Sequence, residues 1–84
     1  MMLKNLGVYV LPDRKKVIAA AQPGGYALYS LAAWELYGER LPAEYEVSRE
    51  GAVITRGDTG TLWSADELTF TGLEAQYPKA VGLV

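Results

Sequence analysis

Apolar and polar residues alternate in short bursts along this chain, and Gly or Pro interrupts them every few positions. That rhythm is typical of small all-β domains. Residues 6–11 read as a first strand, with Val8 and Val10 on one face and Tyr9 and Leu11 on the other. Pro12-Asp13-Arg14-Lys15 is turn-like. Residues 16–22 admit two readings. Asp13 is a possible helix cap, and Ala19-Ala20-Ala21 favour a helix. That helix, however, places Arg14, Lys15 and Lys16 in its first turn, where the macrodipole repels cations. Lys16 also stands where a capping box wants Glu or Gln. A second strand pairing with the first is preferred.

Pro23-Gly24-Gly25 marks a turn, and residues 26–29 a third strand. Ser30 as N-cap and Gly38 as terminator bracket a two-turn helix over residues 31–37. A longer helix over 27–37 is the alternative. After Pro42 and Ala43, Tyr45, Val47 and Arg49 alternate with Glu44, Glu46 and Ser48, the period of a strand with one wet face. Glu50-Gly51 turns the chain into a return strand at 52–55, which makes 45–55 the clearest hairpin. Residues 56–60 form the next turn, and 61–63 and 68–71 are strand-like. Ser64 is placed to cap a single helical turn between them. Residues 73–84 have no clear period and read as a loosely packed tail.

The 84 residues contain neither His nor Cys. A zinc site of the usual kind is therefore excluded, as are disulfides and most nucleophilic triads. No catalytic constellation assembles from the residue types present, so the chain is read as a non-enzyme without cofactor or metal. Net charge is −2, which argues against a nucleic-acid partner. The longest aliphatic run, residues 17–21, is far too short to cross a bilayer, and no signal-peptide pattern opens the chain. The expected location is the cytoplasm, with no membrane partner.

Three short strings invite sharper readings. Asp58-Thr59-Gly60-Thr61 resembles the aspartic protease signature, but Arg56 and Gly57 stand where that family has an apolar strand, and too little chain follows. Asp58-Thr59-Gly60-Thr61-Leu62 also resembles the phosphorylated-aspartate motif of haloacid-dehalogenase-type enzymes and P-type ATPases, without the residue expected between Asp and Thr and in a chain too short for that fold. Arg56-Gly57-Asp58 is the integrin tripeptide, which a hairpin turn explains fully. In each case Asp58 reads as a local acceptor within a turn. Glu44 and Glu46 read as a solvated strand face.

Two residue sets point toward partners. Six Tyr, two Trp and one Phe are too many to be fully buried in so small a domain. If Trp34, Trp63 and Phe70 build the core, tyrosines remain for contact, and Tyr26, Tyr29, Tyr37 and Tyr45 are the expected partner surface. Arg14, Lys15 and Lys16 form a possible basic patch.

Leu11-Pro12-Asp13, Thr61-Leu62-Trp63, Glu67-Leu68 and Thr71-Gly72 give the chain a layout that resembles small uncharacterised bacterial β-domain proteins. The likeness spans most of residues 6–72. It implies a small β domain with no assigned activity, and it departs at Arg14, where such turns usually carry Gly.

The expected fold is mainly β in a single domain over 1–84. It is a small antiparallel Src-homology-3-like barrel or curved sheet of five to seven strands with one short helix. The alternative is an α+β domain with helices at 14–22 and 27–37. The expected function is a non-catalytic interaction or accessory module that binds a protein partner or itself. Its alternative is a nucleic-acid-binding barrel using Arg14, Lys15, Lys16, Arg49 and Arg56. With no disulfide or metal to stabilise it, a homodimer is expected, by pairing or packing of strands such as 26–29 across a two-fold axis.

Overall fold

Each stretch with a two-residue period forms a strand in the computed structural model, which describes residues 3–58 and 60–76. The strands are β1 (Gly7–Val10), β2 (Lys16–Gln22), β3 (Gly25–Ser30), β4 (Tyr45–Ser48), β5 (Ala52–Thr55), β6 (Thr61–Ser64) and β7 (Thr69–Glu74). Helix α1 (Leu31–Tyr37) follows β3 directly, and short 3-10 turns occupy Gly38–Arg40 and Ala65–Glu67. The strands form one curled antiparallel half-barrel in the order β6-β5-β4-β3-β2-β1-β7. The fold is thus mainly β with one short helix. The stretch 16–22 is a strand, paired from Val17 with Ser30 to Gln22 with Gly25 on one side and with β1 on the other.

Strand alternation sorts the side chains between two faces. Val17 and Ala19 of β2 join Tyr9, Leu11, Leu28, Tyr45, Val47 and Val53 in the main core on the inner face of the curl. Ile18, one residue out of phase, joins Val8 and Trp34 in a smaller cluster on the other face. Helix α1 covers that second face. Its Trp34 is 1% exposed and packs on Tyr29 with ring centroids 5.1 Å apart. The Trp34 indole Nε1 donates to the Gln76 carbonyl at 2.9 Å, tying the end of the described chain to the helix.

The inner face is closed by chain that crosses it. Ala65 donates its amide to the Gly51 carbonyl at 2.7 Å, and four residues later Thr69 pairs with Val10 on the far edge of the sheet. Between these points Ala65 and Leu68 are buried in the main core. A capping box fixes this crossing: Ser64 Oγ accepts from the Asp66 amide at 3.3 Å, and Glu67 Oε2 accepts from the Ser64 amide at 2.8 Å. At the other end, Leu3 lies on the same core, with its amide donating to the Tyr26 hydroxyl at 3.1 Å.

Both free edges of the sheet are irregular. β6 slips register against β5 between Val53 and Ile54, and β7 slips against β1 between Gly7 and Tyr9. In β7 the slip centres on Gly72, at φ 86°, and Thr71 Oγ1 fills it by donating to the Val8 carbonyl at 2.8 Å. Bulges of this kind discourage edge-to-edge pairing.

Three expectations need correction. The last strand runs on to Glu74, so residues 73 and 74 belong to the sheet, while 77–84 lie outside the described residues. β3 sits between β2 and β4, so residues 26–29 have no open edge to pair across a two-fold axis. Phe70 is 43% exposed, whereas Tyr9 and Tyr45 are buried. Edge position explains the exposure of Phe70, since among the described residues β7 has a neighbouring strand on one side only. The tyrosines are drawn inward because their hydroxyls or rings find partners there: Tyr9 accepts from the Lys4 amide at 2.8 Å, and Tyr45 packs on Trp63.

Candidate interaction surface

The local sequence of α1 explains its exposure. Ser30 Oγ accepts from the Ala33 amide at 3.5 Å, and Gly38 at φ 57° ends the helix with its amide donating to the Trp34 carbonyl. Leu31 and Trp34, three residues apart, share the face that meets the sheet. Leu36 lies about 200° around the helix from Trp34 and points away. It is 70% exposed, Tyr37 is 48% exposed, and Leu41, just beyond the 3-10 turn, is 41% exposed. Leu73 on edge strand β7 is 65% exposed and borders a cleft of about 410 Å³ floored by Val8, Leu31, Trp34 and Ala75. The helix side of the sheet therefore presents large aliphatic side chains to solvent.

The four expected contact tyrosines do not converge there. Tyr37 belongs to the exposed set. Tyr29 is half-buried against Trp34, and burial raises its phenol pKa above the ordinary value, with Glu39 adding to the rise. Tyr26 is half-buried, its hydroxyl occupied by the Leu3 amide. Tyr45 is a core residue on the inner face and is removed from the surface set. Leu36, Leu41 and Leu73 carry the exposure instead. Their signal was present in the sequence: Leu36 follows Trp34 by two positions, which cannot share one helix face.

The basic residues are placed as follows. Arg14, Lys15 and Lys16 line one cleft beside the start of α1. Lys15 Nζ lies 3.5 Å from Glu44 Oε1, and its pKa is raised by the neighbouring Tyr45 oxygen and by Glu44. Arg56 borders a separate open trough of about 1000 Å³ with Asp13, Glu46, Leu62 and Trp63. Arg49 lies by Gly24 and Gly25, at the end of the sheet where β2 turns into β3. The five cations considered for nucleic acid thus do not form one track. Asp58 sits in the β5–β6 turn, where its Oδ1 accepts from the Gly60 amide at 3.4 Å. Among the described residues, no group of three or more Asp or Glu side chains is arranged to hold a metal. No helix of the described residues is long and apolar enough to cross a membrane.

No family model, no curated protein and no solved structure matches this chain.

Proposed function

We propose that this protein is a non-catalytic interaction module of the small Src-homology-3-like type, acting in the cytoplasm on a protein partner or on a second copy of itself. The observation that carries this reading is the outward apolar set on and just after α1: Leu36, Tyr37 and Leu41. Burying one such side chain is worth about 1.5–3 kcal/mol. A stable interface covers about 800 Å² per partner, roughly a seventh of the 5604 Å² surface. The bulged edges disfavour association through strands, which leaves the helix face as the better contact.

Two measurements test the reading together. Sedimentation equilibrium over micromolar concentrations reports self-association, and affinity capture from the source cell reports a partner. Leu36→Ser is expected to reduce whichever is seen, while Glu50→Ser, in the β4–β5 turn, leaves it unchanged. A mass near 9.2 kDa at every concentration, with no captured protein that Leu36→Ser releases, overturns the proposal.

A further inference from the structure

Arg14 sits at φ 75°, in the left-handed region that a non-glycine residue enters only at an energetic cost. Leu6, at φ 63°, shares that conformation, but its side chain packs against the Val8, Ile18 and Trp34 cluster and offsets the strain. The Arg14 backbone is held by the turn, its amide donating to the Leu11 carbonyl at 2.8 Å and the Lys15 amide to Asp13 Oδ1 at 3.0 Å, but these bonds do not involve its side chain. It is exposed, and it forms no ion pair among the described residues. Glycine would satisfy the turn without strain. Strain of this kind, retained without a packing reason, points to a role for the side chain itself.

The surroundings indicate what that role is. Arg14, Lys15 and Lys16 all line one cleft of about 400 Å³, closed on the other side by Leu31 and Glu35 of α1. That volume lies in the range of small-ligand sites. Lys15 is engaged by Glu44, so Arg14 and Lys16 are the cations lining the cleft that form no ion pair among the described residues. A guanidinium fork beside an ammonium suits a tetrahedral oxyanion, which accepts paired N–H donors from Arg and a point charge from Lys.

We propose that this cleft binds the phosphate group of a small soluble ligand, a phosphomonoester or diphosphate. Arg14 and Lys16 make the primary contacts, and Lys15 joins them by exchanging Glu44 for phosphate oxygen. Glu35 and Glu44 line the same cleft and oppose any anion, so binding rests on these particular cations rather than on a general positive field. The site is independent of the apolar helix face, since neither Leu36 nor Tyr37 contributes to it.

The test is a backbone-amide NMR titration of the intact protein with inorganic pyrophosphate, with sodium chloride holding ionic strength constant. Saturable shifts are expected at residues 14–16 and 31–32. Arg14→Gly and Lys16→Ala should each weaken binding about tenfold, the loss of one charge-assisted contact. Arg14→Gly should at the same time keep or raise the melting temperature, because glycine relaxes the turn. Glu35→Gln should tighten binding, as it removes an opposing charge. Shifts that never saturate, or an affinity unchanged by Arg14→Gly, overturn the proposal. Sedimentation with phosphatidylcholine vesicles containing phosphatidic acid distinguishes the source of the phosphate. A soluble ligand predicts no co-sedimentation, and vesicle binding lost in Arg14→Gly would overturn the assignment in favour of a lipid headgroup.

Discussion

Replacing Trp34 probes how one short helix is held to a seven-stranded sheet. Its side chain is 1% exposed, stacks at a tilt on Tyr29, and contacts the Val8 and Ile18 cluster. Trp34→Ala removes that packing and leaves a cavity, at a cost of about 3–5 kcal/mol. An 84-residue domain has a total stability of roughly 4–13 kcal/mol, so this single change consumes much of the margin. Trp34→Phe keeps an aromatic ring against Tyr29 and loses the bond to the Gln76 carbonyl. Gln76 is exposed, so water replaces that donor and the hydrogen-bond loss stays near 1 kcal/mol. For a domain of this size about 1 kcal/mol corresponds to roughly 4–8 °C in melting temperature. Urea denaturation of the three proteins measures both steps. A loss below about 1 kcal/mol in Trp34→Ala would refute the reasoning, because the helix would then be anchored by something other than this side chain. Equal losses in the two variants would show that the hydrogen bond, not the packing, holds the helix.

Other perturbations test the sheet and its closure. At Gly25 an added Cβ would run into the Val47 backbone carbonyl, in a strand that cannot shift without breaking its pairing with β4. Gly25→Ala should therefore cost roughly 3 kcal/mol, visible as a lower denaturation midpoint. Ser64→Ala and Glu67→Ala each remove half of the capping box at the crossing segment. Each should cost about 1 kcal/mol, and the double variant should cost less than the sum if the two halves act as one unit. Tyr29 has a folded-state pKa above its ordinary value of 10.0, chiefly through burial. The folded chain then holds that proton longer than the unfolded chain does. Its contribution is present below pH 10 and declines as pH rises further, because the unfolded state alone ionises first. A phenolate absorbance titration should show a late component that Tyr29→Phe removes.

Local pattern carried most of the fold. The helix bounds were legible because Ser30 and Gly38 mark them chemically, and the structure uses both as caps. The strand at 16–22 was the preferred of two readings because of charge: three cations disfavour the start of a helix, and in the structure Arg14 and Lys15 instead form the turn before β2. What escaped was the distribution of aromatics. Composition says that tyrosines outnumber the available core, but not which ones find a partner inside. Tyr9 and Tyr45 are buried through the Lys4 amide and the Trp63 ring, and both contacts depend on the register of the curled sheet. Phe70 is exposed because β7 is an edge strand. Its ring still lies 5.1 Å from that of Tyr9, so it borders the core without entering it. Edge position follows from topology, which the two-residue period does not encode. The basic patch was legible as a run of residues, whereas its facing helix and the left-handed turn at Arg14 were not.

The exposed apolar residues follow from an imbalance in how the two faces of the sheet are covered. The inner face closes on itself: the curl brings β1 to β5 around a common core, and residues 65–68 cross it. Among the described residues the outer face has no such device. It carries Val8, Ile18 and Tyr29, and the main cover is a helix of seven residues. A helix that length spans only about 10 Å, against a long dimension of 42 Å for the molecule. Once Leu31 and Trp34 have been spent on the sheet, the fold gains nothing from Leu36 pointing outward. A polar residue there would serve solubility better. The same holds for Leu73, which lies on an exposed edge strand beside an open cleft. The fold does not require these leucines where they are, and the contact with another chain proposed above would give them a physical reason to be there. That is why Leu36→Ser separates the two roles: on a side chain 70% exposed it should change stability by no more than about 0.5 kcal/mol, while reducing association.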